Sequence, residues 1–236
     1  MPNYKHLEDQ LTRTLGLTRR PVAVTLRPET PAGVQKFAGS VPSGCSFWRL
    51  AAEGRAFYTE PADHYNCPIG CYTHNIPLPP EREAELTQTL GLMADIGYVR
   101  MEEVPGIPQL PTSPAAVVYA PLGETPVDPD VVIFSGPANA IMLLQEAAIR
   151  AGVAAQLNTL GRPTCMSVPA AIAFGMVAST GCIGNRVYTA IDEGDLYAVV
   201  PANALERLAD DAETIRDANE KLRAYHEERR TQLLQA

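Results

Sequence analysis

Five cysteines carry the chemistry this chain could do: Cys45, Cys67, Cys71, Cys165 and Cys182. Two of them lie in HYNCPIGCYTHNIPLPP, residues 64 to 80, together with His64 and His74. A thiolate can ligate a metal or act as a nucleophile. A free thiol more often serves as a small buried hydrophobe. The series His64, Cys67, Cys71, His74 offers four zinc ligands in the pattern H-x2-C-x3-C-x2-H. Pro68 and Gly70 interrupt it, and the spacing matches no common finger. The bland reading makes His64 and His74 solvent-facing loop residues and Cys71 a core residue.

A second pattern ties the distant cysteines together. In the first part of the chain the strand-like PVAVTL is followed by Cys45 opening a helix, then NCPIGCYTHNI, then EREAELTQTLG. Later DVVIF is followed by Cys165 opening TCMSVPAAIAFG, then GCIGNRVYTAI, then PANALERLADD. The stretches around Cys67 and Cys182 share Cys, Ile-Gly, Tyr-Thr and a closing Ile. An internal duplication would explain this echo. Duplicated halves packed about a pseudo-twofold axis would bring Cys45, Cys67, Cys165 and Cys182 to one place, although no two are neighbours in sequence.

Four blocks, CSFW from Cys45, NCPIG from Asn66, GRPTC ending at Cys165 and GCIGNRVYT from Gly181, resemble the uncharacterised ArCR family. The resemblance spans roughly Pro21 to Leu208. It implies recurring cysteines at the positions of Cys45, Cys67, Cys165 and Cys182, and leaves Cys71 outside the set. It implies no activity.

Four convergent thiolates suit a [4Fe–4S] cluster, one per iron. They also suit a four-cysteine zinc site. Apolar neighbours such as Phe47, Trp48, Ile69, Ala170 and Ile183 favour the cluster, whose potential burial tunes. Arg49, Arg162 and Arg186 stand near cysteines in sequence and are candidates to offset its negative charge; Arg162, Arg186 and Asn185 are candidates to bind an anionic substrate beside it, the bland reading being that they cap helices or pair with carboxylates. The compact ferredoxin run is absent, and so is a C-x2-C zinc knuckle. The expected function is therefore an iron–sulfur protein with a redox or electron-transfer role, serving a redox partner or a small-molecule substrate. The rivals are a zinc- or thiol-based sensor and a metal-free cysteine enzyme, in which Cys45 or Cys165 at a helix start would be activated. Whether the protein is an enzyme is left open by the sequence.

Those thiols need elements to place them. Leu7, Leu11 and Leu15 at four-residue spacing predict a helix over 3–17. Strands are expected at 21–26, 117–120, 130–134, 187–191 and 196–200. Helices are expected from Cys45 to 53, over 81–97 and 137–151, and over 164–178 as one buried helix. From Pro201 onward the chain reads as a single long helix, lying on its own domain or pairing with a second copy as a homodimer. The fold class expected is α/β or α+β: two similar, intertwined halves over 1–112 and 113–204, and a C-terminal helix over 205–236.

Composition excludes several functions. The 236 residues are 46% hydrophobic and 19% charged, which allows a buried core. A net charge of −8 without a basic patch argues against nucleic-acid binding. No apolar run reaches membrane-spanning length. Five cysteines in a chain this long do not make a disulfide scaffold, and the chain reads as cytoplasmic. Walker, GxGxxG, HExxH and GxSxG motifs are absent.

Overall fold

The computed structural model describes residues 2–153 and 159–234. Seven strands form one sheet: β1 Val22–Arg27, β2 Phe57–Thr59, β3 Ala116–Pro121, β4 Val131–Pro137, β5 Thr159–Leu160, β6 Val177–Ser179 and β7 Asp195–Pro201. Their order across the sheet is β2-β3-β1-β4-β7-β6-β5. All neighbours are antiparallel except β5 and β6.

Helices cover both faces. On one face lie α1 Tyr4–Leu15, α5 Ala138–Arg150 and α8 Leu205–Leu234, which pack on Ala23, Val132, Phe134, Ala198 and Val200. On the other lie α2 Cys45–Ala52 and α6 Ser167–Phe174, which pack on Val22, Val24, Val131, Ile133 and Val199. Consecutive strand residues therefore enter opposite cores, as the two-residue strand repeat requires. Burial on both faces explains why these strands are continuous apolar runs and not alternating ones. In α1, Leu7, Leu11 and Leu15 are buried as their spacing predicts, Asn3 caps the start by accepting from His6 N at 3.0 Å, and Gly16 ends the helix in the left-handed conformation, φ 66°.

The sheet reads alike from its centre outward. In the β1–β4 pair Ala23 faces Val132, flanked by Val22 opposite Ile133 and Val24 opposite Val131. On one side Val22 pairs with Pro121 and Phe57 with Tyr119; on the other Val131 pairs with Pro201 and Val177 with Val199. Exchanging Val22 with Val131 thus carries each register into its counterpart. Beyond the strands the match continues. Leu122 N donates to Pro21 O at 2.8 Å, and Ala202 N donates to Asp130 O at 2.9 Å. Cys45 precedes Phe57 by the same interval as Cys165 precedes Val177 (57 − 45 and 177 − 165).

Several elements differ from expectation. The apolar run 164–178 is not one helix: a 3-10 turn over Thr164–Met166 leads into α6, Gly175 at φ 92° breaks the helix, and Val177–Ser179 become β6. The β-branched stretch 187–191 is not a strand. Residues 187–189 end α7 Ile183–Thr189 and Ala190 caps it in the left-handed conformation, because β6 and β4 already flank β7 and tertiary context outweighs β-propensity. The helix expected at 81–97 is α4 Pro80–Asp95, but none of its residues is fully buried. The strand β3, placed by the 112/113 boundary in the second half, lies between β2 and β1 among the strands of the first. In α8, Leu205, Leu208 and Ala212 pack on the body, and Asn219 Nδ2 donates to Glu146 Oε2 at 2.6 Å; residues 220–234 are exposed. Among the described residues no helix is long and apolar enough to cross a membrane.

Candidate functional site

Each of four cysteines sits where a short helix begins on the α2–α6 face. Cys45 is the first residue of α2; Cys67 immediately precedes α3 Pro68–Thr73; Cys182 immediately precedes α7; Cys165 lies in the turn that feeds α6. Pro68 is well suited to its place, since the first helical position needs no N–H. All four line one cavity of about 1280 Å3. All six pairs among them are close enough for one sulfur's charge to disfavour the other's. The four cysteines, distant in sequence, thus share the lining of one cavity. Thr164 ties the turn of Cys165 to the start of α7: its Oγ1 accepts from Cys182 N at 2.6 Å.

Burial dominates the electrostatics. It pushes the Cys45 thiol well above its ordinary value, and the neighbouring sulfurs of Cys165 and Cys67 add to the rise, while the Asn185 amide opposes it. Burial likewise raises Cys165, reinforced by Cys67 and opposed by the Thr73 hydroxyl. Cys67 is also raised by burial, and the backbone of Gly44 and Gly70 opposes this. Gly70 fits there because it has no side chain: a Cβ would stand 2.9 Å from Cys67 Sγ. Asn185, 2% exposed, lies beside Cys45 and Tyr197 with no well-formed hydrogen bond for Oδ1 or Nδ2. Such a buried, unmatched amide is costly unless something in the cavity meets it.

The three candidate arginines separate. Arg162 lines the cavity; its Nη2 donates to Glu103 Oε2 at 3.0 Å, and its guanidinium lies 4.7 Å from the Tyr98 ring centre. Arg186 stands one turn behind Cys182 but points away, donating to the carbonyls of Asp192, Glu193 and Asp195. Arg49 lies 3.5 Å from Glu53 and lines a different, small crevice with Trp48 and Tyr197.

The histidines are not solvent-facing. His64 and His74 are buried, with ring centres 6.3 Å apart. His64 Nε2 lies 2.8 Å from Thr59 Oγ1, and His74 Nδ1 lies 3.0 Å from Thr73 Oγ1. Burial lowers His64 to about 3 and His74 to about 4. Cys71 is fully buried, its thiol donating to His64 O at 3.2 Å, and burial raises it to about 12. Neither histidine lines the cysteine cavity. Among the described residues no group of three or more His, Cys, Asp and Glu side chains is arranged to hold a metal ion: the local H-x2-C-x3-C-x2-H site is not formed, and the four cavity cysteines are not drawn into a coordination shell.

Sequence reading missed one whole wall of the cavity. The end of α4 and the segment after it supply Leu90, Met93, Tyr98, Val99, Glu103 and Ile107. The available signal was weak: α4 has apolar residues but no strong stripe, and a helix wall facing a cavity needs none.

A sequence family described as Uncharacterised ArCR matches residues 10–211. An uncharacterised protein of Methanocaldococcus jannaschii is 27% identical over 179 residues, which cover 73% of this chain and 76% of that protein. No solved structure matches the chain.

Proposed function

The chain belongs to the uncharacterised ArCR family, and we propose that its member described above is an iron–sulfur protein whose Cys45, Cys67, Cys165 and Cys182 hold a [4Fe–4S] cluster at the junction of two duplicated halves. The observation that carries this reading is the meeting, in one cavity, of four thiols supplied by four separate helix starts. The matching registers on either side of Ala23 and Val132 support duplication, which relates Cys45 to Cys165 and Cys67 to Cys182.

A zinc ion with Zn–S bonds of about 2.3 Å draws four sulfurs to within about 3.8 Å of one another. Among the described residues no group of three or more metal-ligating side chains is drawn together, at zinc spacing or otherwise, so the choice between zinc and a cluster rests on the room around the thiols. A cubane spreads its thiolates over four separate irons and needs a wider frame, which a cavity of about 1280 Å3 accommodates. Thiols raised by burial are poor nucleophiles, which weighs against a metal-free cysteine enzyme. The same burial favours these sulfurs as ligands to a positive centre, since a metal removes the proton that the apolar surroundings otherwise retain.

A bound cluster would supply one-electron chemistry. The chain's own contribution is to exclude water with Phe47, Ile69 and Ala170, to keep Gly70 small beside Cys67, and to place the Asn185 amide at Cys45. The function proposed is redox, directed at a small molecule in the remainder of the cavity or at an electron-transfer partner. Anaerobic purification tests it: brown protein with about four irons per chain supports the reading. Colourless protein with one zinc per chain, or protein that takes up neither metal when supplied with iron and sulfide, overturns it.

A further inference from the structure

The cavity extends well beyond the four thiols, and we infer that its outer part binds an uncharged, mostly apolar small molecule with one or two hydrogen-bonding groups. This inference deepens the proposed function by naming a substrate class for the same cavity, but it does not depend on iron. A volume of about 1280 Å3 exceeds the roughly 300–1,000 Å3 of ordinary ligand pockets, so a cluster at the floor leaves room above it.

The two walls are apolar. Leu90, Met93 and Ile107 come from the α4 side; Phe174, Ile183 and Tyr188 come from α6 and α7. Phe174 and Ile183 are 62% and 64% exposed, large apolar side chains left uncovered on the lining of one concavity. Grouped apolar exposure of this kind marks a binding surface.

Charge selects the ligand. The charged residues lining the cavity are Arg162 and Glu103, and they are paired with each other. Glu103 is held again by Arg100 at 2.7 Å, and Arg162 is stacked on Tyr98. An anion would have to draw Arg162 from both partners; a cation would have to draw Glu103 from two arginines. A neutral ligand disturbs neither. Within the lining, the nearly fully buried Asn185 amide lies beside Cys45 and Tyr197, and the donor and acceptor capacity those neighbours leave over can meet a ligand's polar group.

The test uses the full chain as purified, titrated with the uncharged dye Nile red and with the anionic dye anilinonaphthalene sulfonate. One Nile red per chain is expected, with a blue-shifted emission and an affinity at least about tenfold above that of the sulfonate. Ala173→Trp and Thr89→Trp, at two partly or fully exposed positions of the lining, each fill the space and are expected to weaken Nile red by about tenfold or more. The double variant Leu92→Ser, Ile96→Ser, at exposed positions outside the cavity, is expected to bind as the parent does. Full Nile red binding by both tryptophan variants, loss of binding in the serine variant, equal affinity for the sulfonate, or no dye binding at all would each overturn the inference. Circular dichroism confirms folding, and either tryptophan variant suffices if the other unfolds. Iron is assayed on the same samples, so iron-free protein that still binds the dye sinks the cluster alone, and iron-loaded protein that ignores it sinks the ligand class alone.

Discussion

Ala23 faces Val132 at the centre of the β1–β4 pair, and the strand registers on either side of that contact correspond one to one. The correspondence carries Cys45 toward the place of Cys165, and Cys67 toward that of Cys182. The proposed cluster would draw ligands from both sides of that contact, so it would be indivisible.

Serine replacements test that indivisibility. Changing Cys45, Cys67, Cys165 or Cys182 singly to Ser is expected to remove most of the iron and the broad absorbance near ~400 nm, whereas Cys71→Ser leaves both in place. Cys71 is buried apart from the cavity and bonded to His64 O. Iron retained in full by any one of the four variants would remove that residue from the ligand set.

Gly70→Ala should separate folding from metal binding. Alanine is favoured over glycine within a helix by about 1 kcal/mol, so the iron-free protein should hold or gain stability in urea. The new Cβ, 2.9 Å from Cys67 Sγ, should displace that sulfur and lower iron occupancy. A parallel loss of both stability and iron would mean that Gly70 serves α3 and not the thiol.

Thiol labelling of iron-free protein at neutral pH should follow exposure. Cys67 and Cys182, both partly exposed, should react first; Cys45, Cys71 and Cys165 are buried and should react only as the protein opens. Burial raises all three of the latter, which keeps them protonated. Mass spectrometry of the labelled peptides gives the order, and fast labelling of Cys45 or Cys165 would revive the activated-thiol reading.

Acid should destabilise the protein through the buried histidines. His64 and His74 titrate at about 3 and about 4 when folded, because burial opposes their charge, against about 6.5 in an unfolded chain. A depressed base contributes its full stabilisation above the unfolded value and loses it as pH falls toward the folded one. The unfolding free energy of iron-free protein, from urea titrations, should therefore drop between about pH 6.5 and pH 4, at a rate of up to about 1.4 kcal/mol per pH unit per histidine. His74→Asn should flatten part of that slope; an unchanged slope would place the acid sensitivity elsewhere.

The C-terminal helix divides in two. Leu208, fully buried, should cost about 2–5 kcal/mol on replacement by Ala. Removing residues 221–236 should leave the thermal midpoint nearly unchanged, since 221–234 are exposed. Light scattering on the truncated chain also tests the homodimer: a fall from twice the chain mass to the chain mass would assign the exposed end that role, and an unchanged mass would deny it.

Much of this was legible in the sequence because it is local. Leu7, Leu11 and Leu15 state a helix face, PVAVTL and DVVIF state buried strands, and Cys, Ile-Gly and Tyr-Thr recur in one order around Cys67 and Cys182. VYTAI misled because β-branched residues favour a strand while the sheet offered no place for one. TCMSVPAAIAFGMVA misled because a continuous apolar run does not reveal that Gly175 breaks it.

What the sequence by itself determined is α1, the buried strands β1 and β4 and the helix that Cys45 opens, since residue type, spacing and periodicity act over a few neighbours. Only the tertiary structure decided that Arg49 and Arg186 turn away from the cavity, that His64 and His74 are buried together, and that α4 and Tyr98 close a wall opposite α6 and α7. Those outcomes depend on contacts between residues far apart along the chain, where the direction of a side chain is set by what packs against it and not by its neighbours in sequence.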